Sequence, residues 1–256
     1  MSDAVRVETS NGVAVVTVDN PPVNALGNEV LDALGDTATT LAADGDVRAV
    51  VIAGAGDKAF LAGADLAEFQ RLLDGDGSIE EHVEISRRSL ERLAALPQPV
   101  VAAVQAAAMG GGLEVALVCD LIVADPGARL GFPEVRLGLM PGAGGTQRLP
   151  RRIGVGPARE LLLLGRAIDA EEGYRLGLVN RVSAPGAALD EALELATRLA
   201  ALPARAVTSI KRVLATDLAP ALDRERTAFL EVFRTADVRE GVAAFVEKRP
   251  PSFTHR

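Results

Sequence analysis

Strands alternate with helices along the first three quarters of this 256-residue chain. Helical periodicity predicts helices at residues 28–43, 80–96 and 113–119. β-Branched and other apolar runs predict strands at residues 13–18, 47–53, 100–104 and 121–124. This alternation favours an α/β fold with largely parallel strands, and the second strand is apolar enough to be buried on both faces.

The strand signals end at about Ala187, and only helical patterns follow. They predict helices at residues 189–202, 204–215, 221–235 and 238–248, some of them separated by Pro203 and Pro220. We therefore expect an α/β core over residues 1–190 and a helical region over residues 191–256. The apolar faces of that region need a cover, and another subunit could provide it.

Composition excludes several classes of function. The 27 basic and 35 acidic residues give a net charge of −8, which argues against nucleic acid as the main partner. The single cysteine, Cys119, excludes an intrachain disulfide framework and Cys-rich metal sites, and its apolar surroundings predict a core position. Of the two histidines, His82 stands among glutamates on a helix face predicted to be solvated, and His255 is the penultimate residue.

The sequence also indicates where the protein resides. No stretch approaches the roughly 20 apolar residues that a membrane span needs, and the longest apolar run is interrupted by Glu114 and Asp120. The N-terminal residues resemble neither a signal peptide nor a transit peptide. We therefore expect a cytoplasmic protein without a membrane partner.

Glycines are concentrated in one part of the chain, where nine of the 25 lie between Gly110 and Gly145. Gly110, Gly111 and Gly112 separate a predicted strand from a helix, so free N–H groups at the helix end could hold a phosphate or a developing oxyanion. Tight packing at a turn accounts for these glycines equally well. A nucleotide-binding loop is disfavoured because no Lys-Ser/Thr pair ends the later glycine run and no GxGxxG follows the first strand.

Two carboxylates stand in apolar, glycine-rich surroundings. Glu114 follows the glycines within the first turn of an apolar helix, and Glu134 follows Pro133. Either one alone could be a structural cap or an ion-pair member. Together, beside an oxyanion site made by glycines, they favour paired acid and base chemistry. The absence of a G-x-S-x-G motif makes a serine hydrolase improbable.

At these residues the sequence resembles the crotonase (enoyl-CoA hydratase/isomerase) superfamily over nearly the whole chain. The resemblance is carried by Ala59-Phe60-Leu61-Ala62-Gly63-Ala64-Asp65-Leu66, by Gly110-Gly111-Gly112-Leu113-Glu114 with Cys119-Asp120, by Gly131-Phe132-Pro133-Glu134-Val135-Arg136-Leu137-Gly138, by Pro141-Gly142-Ala143-Gly144-Gly145-Thr146-Gln147-Arg148-Leu149 and by Ala244-Phe245-Val246-Glu247-Lys248-Arg249. It implies a spiral core of β-β-α repeats and a C-terminal helical region that forms homotrimers, often paired into hexamers. It also implies an acyl-CoA thioester substrate and no metal or redox cofactor, coenzyme A being part of the substrate.

Within that superfamily, the presence of both glutamates favours reversible syn hydration of a 2-trans-enoyl-CoA to a 3-hydroxyacyl-CoA, in fatty-acid β-oxidation or related metabolism. The resemblance implies that Glu114 activates water, that Glu134 protonates the α-carbon, and that the N–H groups of Ala64 and Gly111 form the oxyanion hole. Enoyl-CoA isomerisation, another reaction of the superfamily and non-catalytic acyl-CoA binding stay open as alternatives. The further contacts that the resemblance implies with CoA or the acyl group are Ala25, Ala62, Asp65, Leu66, Pro133, Gly142 and Lys248.

The chain departs from the superfamily pattern at two places. Ala67 occupies a position where the pattern often has a lysine, which removes one expected phosphate contact. The stretch from Asn20 to Leu26 is shorter than in well-known short-chain hydratases. Both departures concern recognition of CoA and the acyl group. Lys248 could reach a CoA phosphate or be an exposed lysine at a helix end.

Overall fold

The computed structural model describes residues 4–214 and 219–253, so His255 and residue 215 of a predicted helix lie outside the described residues. The strands, in chain order, are β1 (Val5–Ser10), β2 (Val13–Val18), β3 (Ala49–Gly54), β4 (Ala59–Leu61), β5 (Val100–Val104), β6 (Ala107–Met109), β7 (Leu121–Ala124), β8 (Arg129–Gly131), β9 (Ala167–Asp169) and β10 (Arg181–Val182). The α-helices are α1 (Asn28–Ala43), α2 (Leu66–Leu73), α3 (Ile79–Ala94), α4 (Gly111–Val118), α5 (Gly145–Ile153), α6 (Val155–Leu164), α7 (Ala170–Leu176), α8 (Ala188–Ala200), α9 (Ala204–Leu214), α10 (Ala219–Phe233) and α11 (Ala236–Val246). A 3₁₀ turn covers Glu134–Leu137.

The strands form two sheets. The larger has the order β1-β2-β3-β5-β7-β10 and is parallel from β2 onward, with β1 antiparallel to β2. The smaller has the order β4-β6-β8-β9, in which β9 alone is antiparallel to its neighbour. Successive strands alternate between the sheets, because β3, β5 and β7 are each followed by a short strand of the smaller sheet. This alternation confirms the expected α/β spiral of strand–strand–helix repeats.

The predicted elements are present, with bounds that shift by a few residues at most. β2, α1, β5 and β7 have the predicted bounds, while the strand predicted at 47–53 is β3 and the helix predicted at 80–96 is α3. β3 is buried along almost its whole length, as its apolar sequence predicts. Within the described residues, no helix is long and apolar enough to cross a membrane.

The larger sheet is covered on both faces. Leu34 of α1 and Leu90 of α3 belong to the main apolar cluster on one face, together with side chains of β3 and β5. On the other face, Ala192 and Ala196 of α8 pack against alternate residues of the same strands. Part of the predicted helical region therefore covers the sheet of the core, and the division at residue 190 stays a prediction.

The last two helices pack beside α2 and the 3₁₀ turn. Phe229 and Phe233 of α10 and Val238 of α11 form an apolar cluster with Phe69 of α2 and Leu139. α11 contacts both α2 and the 3₁₀ turn. This packing places the C-terminal helices beside the two segments that carry the predicted site residues.

Candidate active site

A cavity of about 170 Å³ lies where the β4–α2 connection, the start of α4 and the 3₁₀ turn meet. Its walls are largely apolar, with Leu26, Val83, Leu90 and Phe229 among the lining residues. Both Glu114 and Glu134 line it. The two carboxylates identified from the sequence are therefore brought into one cavity. The described residues contain no group of three or more His, Cys, Asp or Glu side chains placed to hold a metal ion.

The predicted oxyanion donors, Ala64 and Gly111, lie side by side in the cavity wall. A Cβ built on Gly111 would lie 3.8 Å from the nitrogen of Ala64 and 3.9 Å from Glu114 Oε2. The connection after β4 is held at this place by Leu26, which donates its N–H to the carbonyl of Gly63 at 2.8 Å. Within the described chain, neither the N–H of Ala64 nor that of Gly111 has a protein acceptor. Two backbone donors therefore face the cavity, and the first turn of α4 adds its positive end.

The three consecutive glycines are required by geometry at the β6–α4 junction. Gly110 has φ = +53°, a conformation that disfavours any side chain. A Cβ on Gly112 would lie only 2.0 Å from the carbonyl oxygen of Leu61, so α4 can approach β4 only with glycine at this position. The sequence left packing and oxyanion binding open as alternatives. Packing accounts for Gly110 and Gly112, whereas oxyanion binding by the N–H of Gly111 stays a prediction.

Glu114 is buried and anchored by one oxygen. Its Oε1 accepts hydrogen bonds from the N–H groups of Ala143 and Gly145, both at 2.8 Å, which leaves Oε2 on the side of Gly111. Burial, followed by repulsion from Glu225, raises the pKa of Glu114 to about 7, although the two hydrogen bonds oppose this shift. Glu114 can therefore gain or lose a proton near neutral pH.

Glu134 stands at the start of the 3₁₀ turn in a different environment. A Cβ on Gly110 would lie 2.8 Å from its Oε1, and its buried Oε2 has no hydrogen-bond partner among the described residues. Burial, followed by repulsion from Glu114, raises the pKa of Glu134 well above the ordinary range. The N–H of Glu134 itself opposes this shift but is outweighed by burial, so the neutral form is favoured and Glu134 can supply a proton.

The structure adds a third buried carboxylate that the sequence analysis missed. Glu225 of α10 is 3 % exposed and accepts from the N–H of Thr146 at 2.7 Å and from the hydroxyl of the same residue. It stands in a run of charged residues that suggests a solvated surface. The signal that could have found it is its spacing of three and four residues from the apolar Leu222 and Phe229, which places it on the buried face of the helix.

The expectation for His82 is wrong. The sequence predicts a solvated helix face, but His82 is 5 % exposed and lines the cavity. Its Nδ1 lies 3.3 Å from Glu68 Oε1, and its ring makes an edge-to-face contact with Phe69. The glutamates beside it in sequence lie on the outer face of α3, while His82 lies on the inner face with Val83 and Ser86.

The other predicted contacts fall into two groups. Ala62, Leu66, Pro133 and Gly142 line the cavity. The other three predicted contacts are not among its lining residues. Asp65 caps α2 by accepting from the N–H groups of residues 67 and 68, Ala25 is half-buried with its carbonyl bonded to Asn20, and Lys248 is exposed beyond the end of α11.

Comparisons with known proteins identify the family of this chain. The family model described as enoyl-CoA hydratase/isomerase matches residues 8–256. A short-chain-enoyl-CoA hydratase from Clostridium acetobutylicum is 39 % identical over 96 % of this chain and 95 % of its own length. A crotonyl-CoA hydratase from Syntrophomonas wolfei is 38 % identical, covering 96 % of both chains. The crystal structure of a carnitinyl-CoA hydratase from Mycobacterium avium superposes with a TM-score of 0.89 and 37 % identity, covering 100 % of both chains. With this fold, this pair of carboxylates and these relatives over its full length, the chain belongs to the enoyl-CoA hydratase/isomerase family.

Proposed function

We propose that the protein catalyses reversible syn hydration of a 2-trans-enoyl-CoA to a 3-hydroxyacyl-CoA. The observation that carries the proposal is one cavity with two buried carboxyl groups, Glu114 and Glu134, beside the N–H groups of Ala64 and Gly111. The relatives named short-chain-enoyl-CoA and crotonyl-CoA hydratase support a short acyl chain, which also suits a cavity of about 170 Å³.

The proposed reaction begins with polarisation of the thioester carbonyl. Its oxygen accepts from the N–H groups of Ala64 and Gly111, which makes the β-carbon electrophilic. Negative charge then develops on that oxygen as the enolate forms, where fixed donors stabilise the transition state most. Loss of one such donor typically costs about 10²–10³ in rate.

The two glutamates divide the proton transfers between them. Glu114 Oε2 accepts a proton from water as its oxygen attacks the β-carbon, while Oε1 stays bound to Ala143 and Gly145. Glu134, protonated, then gives its proton to the α-carbon of the enolate. The proposed syn addition requires both carboxyl groups to act on the same face of the double bond, and their place in one cavity is compatible with that arrangement. The reaction adds the elements of water across the double bond without net oxidation or reduction, so the proposal includes no redox cofactor. Backbone N–H groups would provide the polarisation that a metal could otherwise supply.

The proposal extends to recognition and assembly. We assign contacts with CoA or the acyl group to Ala25, Ala62, Asp65, Leu66, Pro133, Gly142 and Lys248. We also propose a homotrimer or hexamer, a cytoplasmic location and a role in acyl-CoA degradation such as β-oxidation. The apolar side chains exposed on α9, among them Ile210 and Leu214, support assembly.

The test of the reaction uses crotonyl-CoA as substrate. Hydration is expected to remove the absorbance of the conjugated thioester and to add the mass of one water. Glu114→Gln and Glu134→Gln keep the shape of each side chain but cannot exchange protons, so each is expected to lower kcat by about 10²–10⁴. Glu171→Gln, a change at an exposed glutamate of α7, is the matched control and should leave kcat unchanged.

The possible products separate the alternatives. Wild-type rates in both catalytic variants would refute the mechanism. If a 3-enoyl-CoA gave a product of unchanged mass and crotonyl-CoA gave no hydrated product, the activity would be isomerisation instead. Tight acyl-CoA binding without turnover of any enoyl thioester would identify a non-catalytic protein.

A further inference from the structure

The third buried carboxylate, Glu225, lies close to the candidate active site but does not line its cavity. Its Oε2 accepts both the N–H and the hydroxyl of Thr146. Burial raises the pKa of Glu225, while these bonds and the N–H of Gly144 oppose that shift by stabilising its anion. A carboxylate is costly to bury without such donors. The hydrogen bonds explain how Glu225 is tolerated, but not why a glutamate stands on a helix face otherwise occupied by Leu222 and Phe229.

Glu114 and Glu225 hold the same short segment, residues 143–146, which we call the 143–146 loop. The N–H groups of Ala143 and Gly145 donate to Glu114, and those of Gly144 and Thr146 point to Glu225. Successive N–H groups of the loop therefore alternate between the two carboxylates. Any displacement of the loop toward one carboxylate lengthens the bonds to the other, so the orientation of Glu114 depends on Glu225.

Arg148 completes the cluster from α5. It is 9 % exposed, and its Nη1 donates to the carbonyl of Ala143 at 3.0 Å. Gly144 has φ = +113°, and a Cβ at this position would collide with Nη1 of Arg148. The 143–146 loop is thus held at a carbonyl group by Arg148 and at its N–H groups by the carboxylates of Glu114 and Glu225.

We propose that Glu225 is a positioning residue for the hydration reaction, acting on Glu114 through the 143–146 loop and through its own negative charge. This inference rests on the proposed function, because it assumes that Glu114 is the base. Glu225 touches neither substrate nor the reacting atoms. Its effect is to orient Glu114 Oε1 and to keep the pKa of Glu114 at about 7.

The charges around Glu114 set the direction of the electrostatic effect. Glu225 from α10 and Glu134 from the 3₁₀ turn are the acidic neighbours, and Arg148 from α5 is the cation. Repulsion from Glu225 is the largest cause of the raised pKa of Glu114 after burial. Removal of that charge while Arg148 stays should therefore favour the ionised form of Glu114.

The experiment compares Glu225→Gln with Glu231→Gln, a change of the same type at an exposed position of the same helix. Glu225→Gln is expected to lower kcat for crotonyl-CoA about tenfold, to change KM less than threefold, and to move the acid limb of the kcat/KM profile down by about one pH unit. Glu231→Gln should change none of these quantities. A purely structural role would lower activity without moving the acid limb.

A second readout does not depend on turnover. The carboxyl band of Glu114, identified by its loss in Glu114→Gln, can be titrated by infrared difference spectroscopy in ligand-free protein. Its midpoint is expected to fall by about one pH unit in Glu225→Gln. If wild-type protein did not hydrate crotonyl-CoA, the proposed function would fail, while this titration would still decide whether Glu225 controls Glu114.

Two results would overturn the inference: an unchanged Glu114 midpoint in folded Glu225→Gln, or an equal shift in Glu231→Gln. If Glu225→Gln did not fold, Glu225→Asp would take its place, because it keeps the charge and withdraws the carboxylate from Thr146. That variant should lower kcat while the acid limb stays, and wild-type kcat would refute the positioning role.

Discussion

Glu114 and Glu134 are the same residue type in one cavity, yet their hydrogen-bonding surroundings differ in a way that supports the opposite roles proposed for them. Glu114 has two backbone N–H donors that stabilise its anion, whereas the buried Oε2 of Glu134 has no partner in the described part of the chain. Hydrogen bonds to the charged form lower a pKa, and burial without them raises it. Glu114 is therefore the better base and Glu134 the better acid.

This difference predicts a bell-shaped dependence of kcat/KM on pH. Activity should rise as pH increases through about 7, the pKa of Glu114, because the base works only after losing its proton. It should fall at higher pH, when Glu134, whose pKa is raised further by burial and by Glu114, loses the proton it must donate. Measurement of crotonyl-CoA hydration from pH 5 to 10 checks the shape. A rate that is constant between pH 5 and 8 would contradict the role of Glu114.

Of the three carboxyl groups clustered here, sequence reasoning found Glu114 and Glu134 and missed Glu225, and the reason lies in their local context. Glu114 and Glu134 have apolar or glycine neighbours along the chain, so their burial is visible in one dimension. Glu225 and His82 have charged neighbours, and their burial depends on which face of a helix meets the core. In α3 and α10, packing against other elements determines which helix face is buried, and the charge pattern along the sequence does not reveal that face.

At the scale of elements, neighbouring glycines of the β6–α4 junction have different roles: Gly112 is needed for packing, and Gly111 provides a proposed oxyanion donor. At Gly111 an added methyl group would have ordinary contacts, the nearest being Leu26 Cδ1 at 3.5 Å, but it would stand beside the N–H of Ala64. At Gly112 the same group would collide with the carbonyl of Leu61.

We therefore predict contrasting outcomes for two neighbouring alanine substitutions. Gly111→Ala should fold with nearly wild-type stability but lose about 10²-fold in kcat, because the methyl group obstructs the carbonyl oxygen of the substrate. Gly112→Ala should lower the free energy of unfolding by about 1–3 kcal/mol through overpacking. Urea unfolding and crotonyl-CoA turnover measure both effects. Equal loss of stability in the two variants would refute this separation.

The predictability of the elements followed their length. β2, β5 and β7 have apolar runs of four to six residues, and the sequence located their bounds. β4, β6 and β8 have three residues each and are too short to show a period, so none was predicted from the pattern. Because β4, β6 and β8 follow β3, β5 and β7, which are neighbours in the larger sheet, the short strands are brought side by side and form the smaller sheet.

At the scale of the whole molecule, the uncovered apolar surface supports the proposed assembly. α9 has no buried residue in the monomer, and Ile210 and Leu214 are 61 % and 79 % exposed. Ile210→Glu is expected to shift the assembly toward monomers in sedimentation velocity experiments, because it places a charge in the covered face. Ser209→Glu, at an exposed polar position of the same helix, adds the same single negative charge and is the control. An unchanged assembly in both variants would exclude this face as the interface.

The net charge of −8 opposes the binding of coenzyme A, which is itself anionic, so binding needs local cations. Lys248 is one of three lysines in the chain and is exposed just beyond the end of α11. Phe245, within the last turn of α11, lines the cavity. If Lys248 meets a CoA phosphate, Lys248→Ala should raise KM for crotonyl-CoA about two- to fivefold at low ionic strength, the effect of one exposed ion pair. KM for crotonyl-pantetheine, which lacks the nucleotide phosphates, should stay the same, and added salt should reduce the difference for crotonyl-CoA.

Arg175→Ala removes an equal charge from an exposed site on α7 and serves as the control for net charge. Equal changes in KM for the two thioesters, or in the two variants, would mean that Lys248 contributes only through the overall field of the protein.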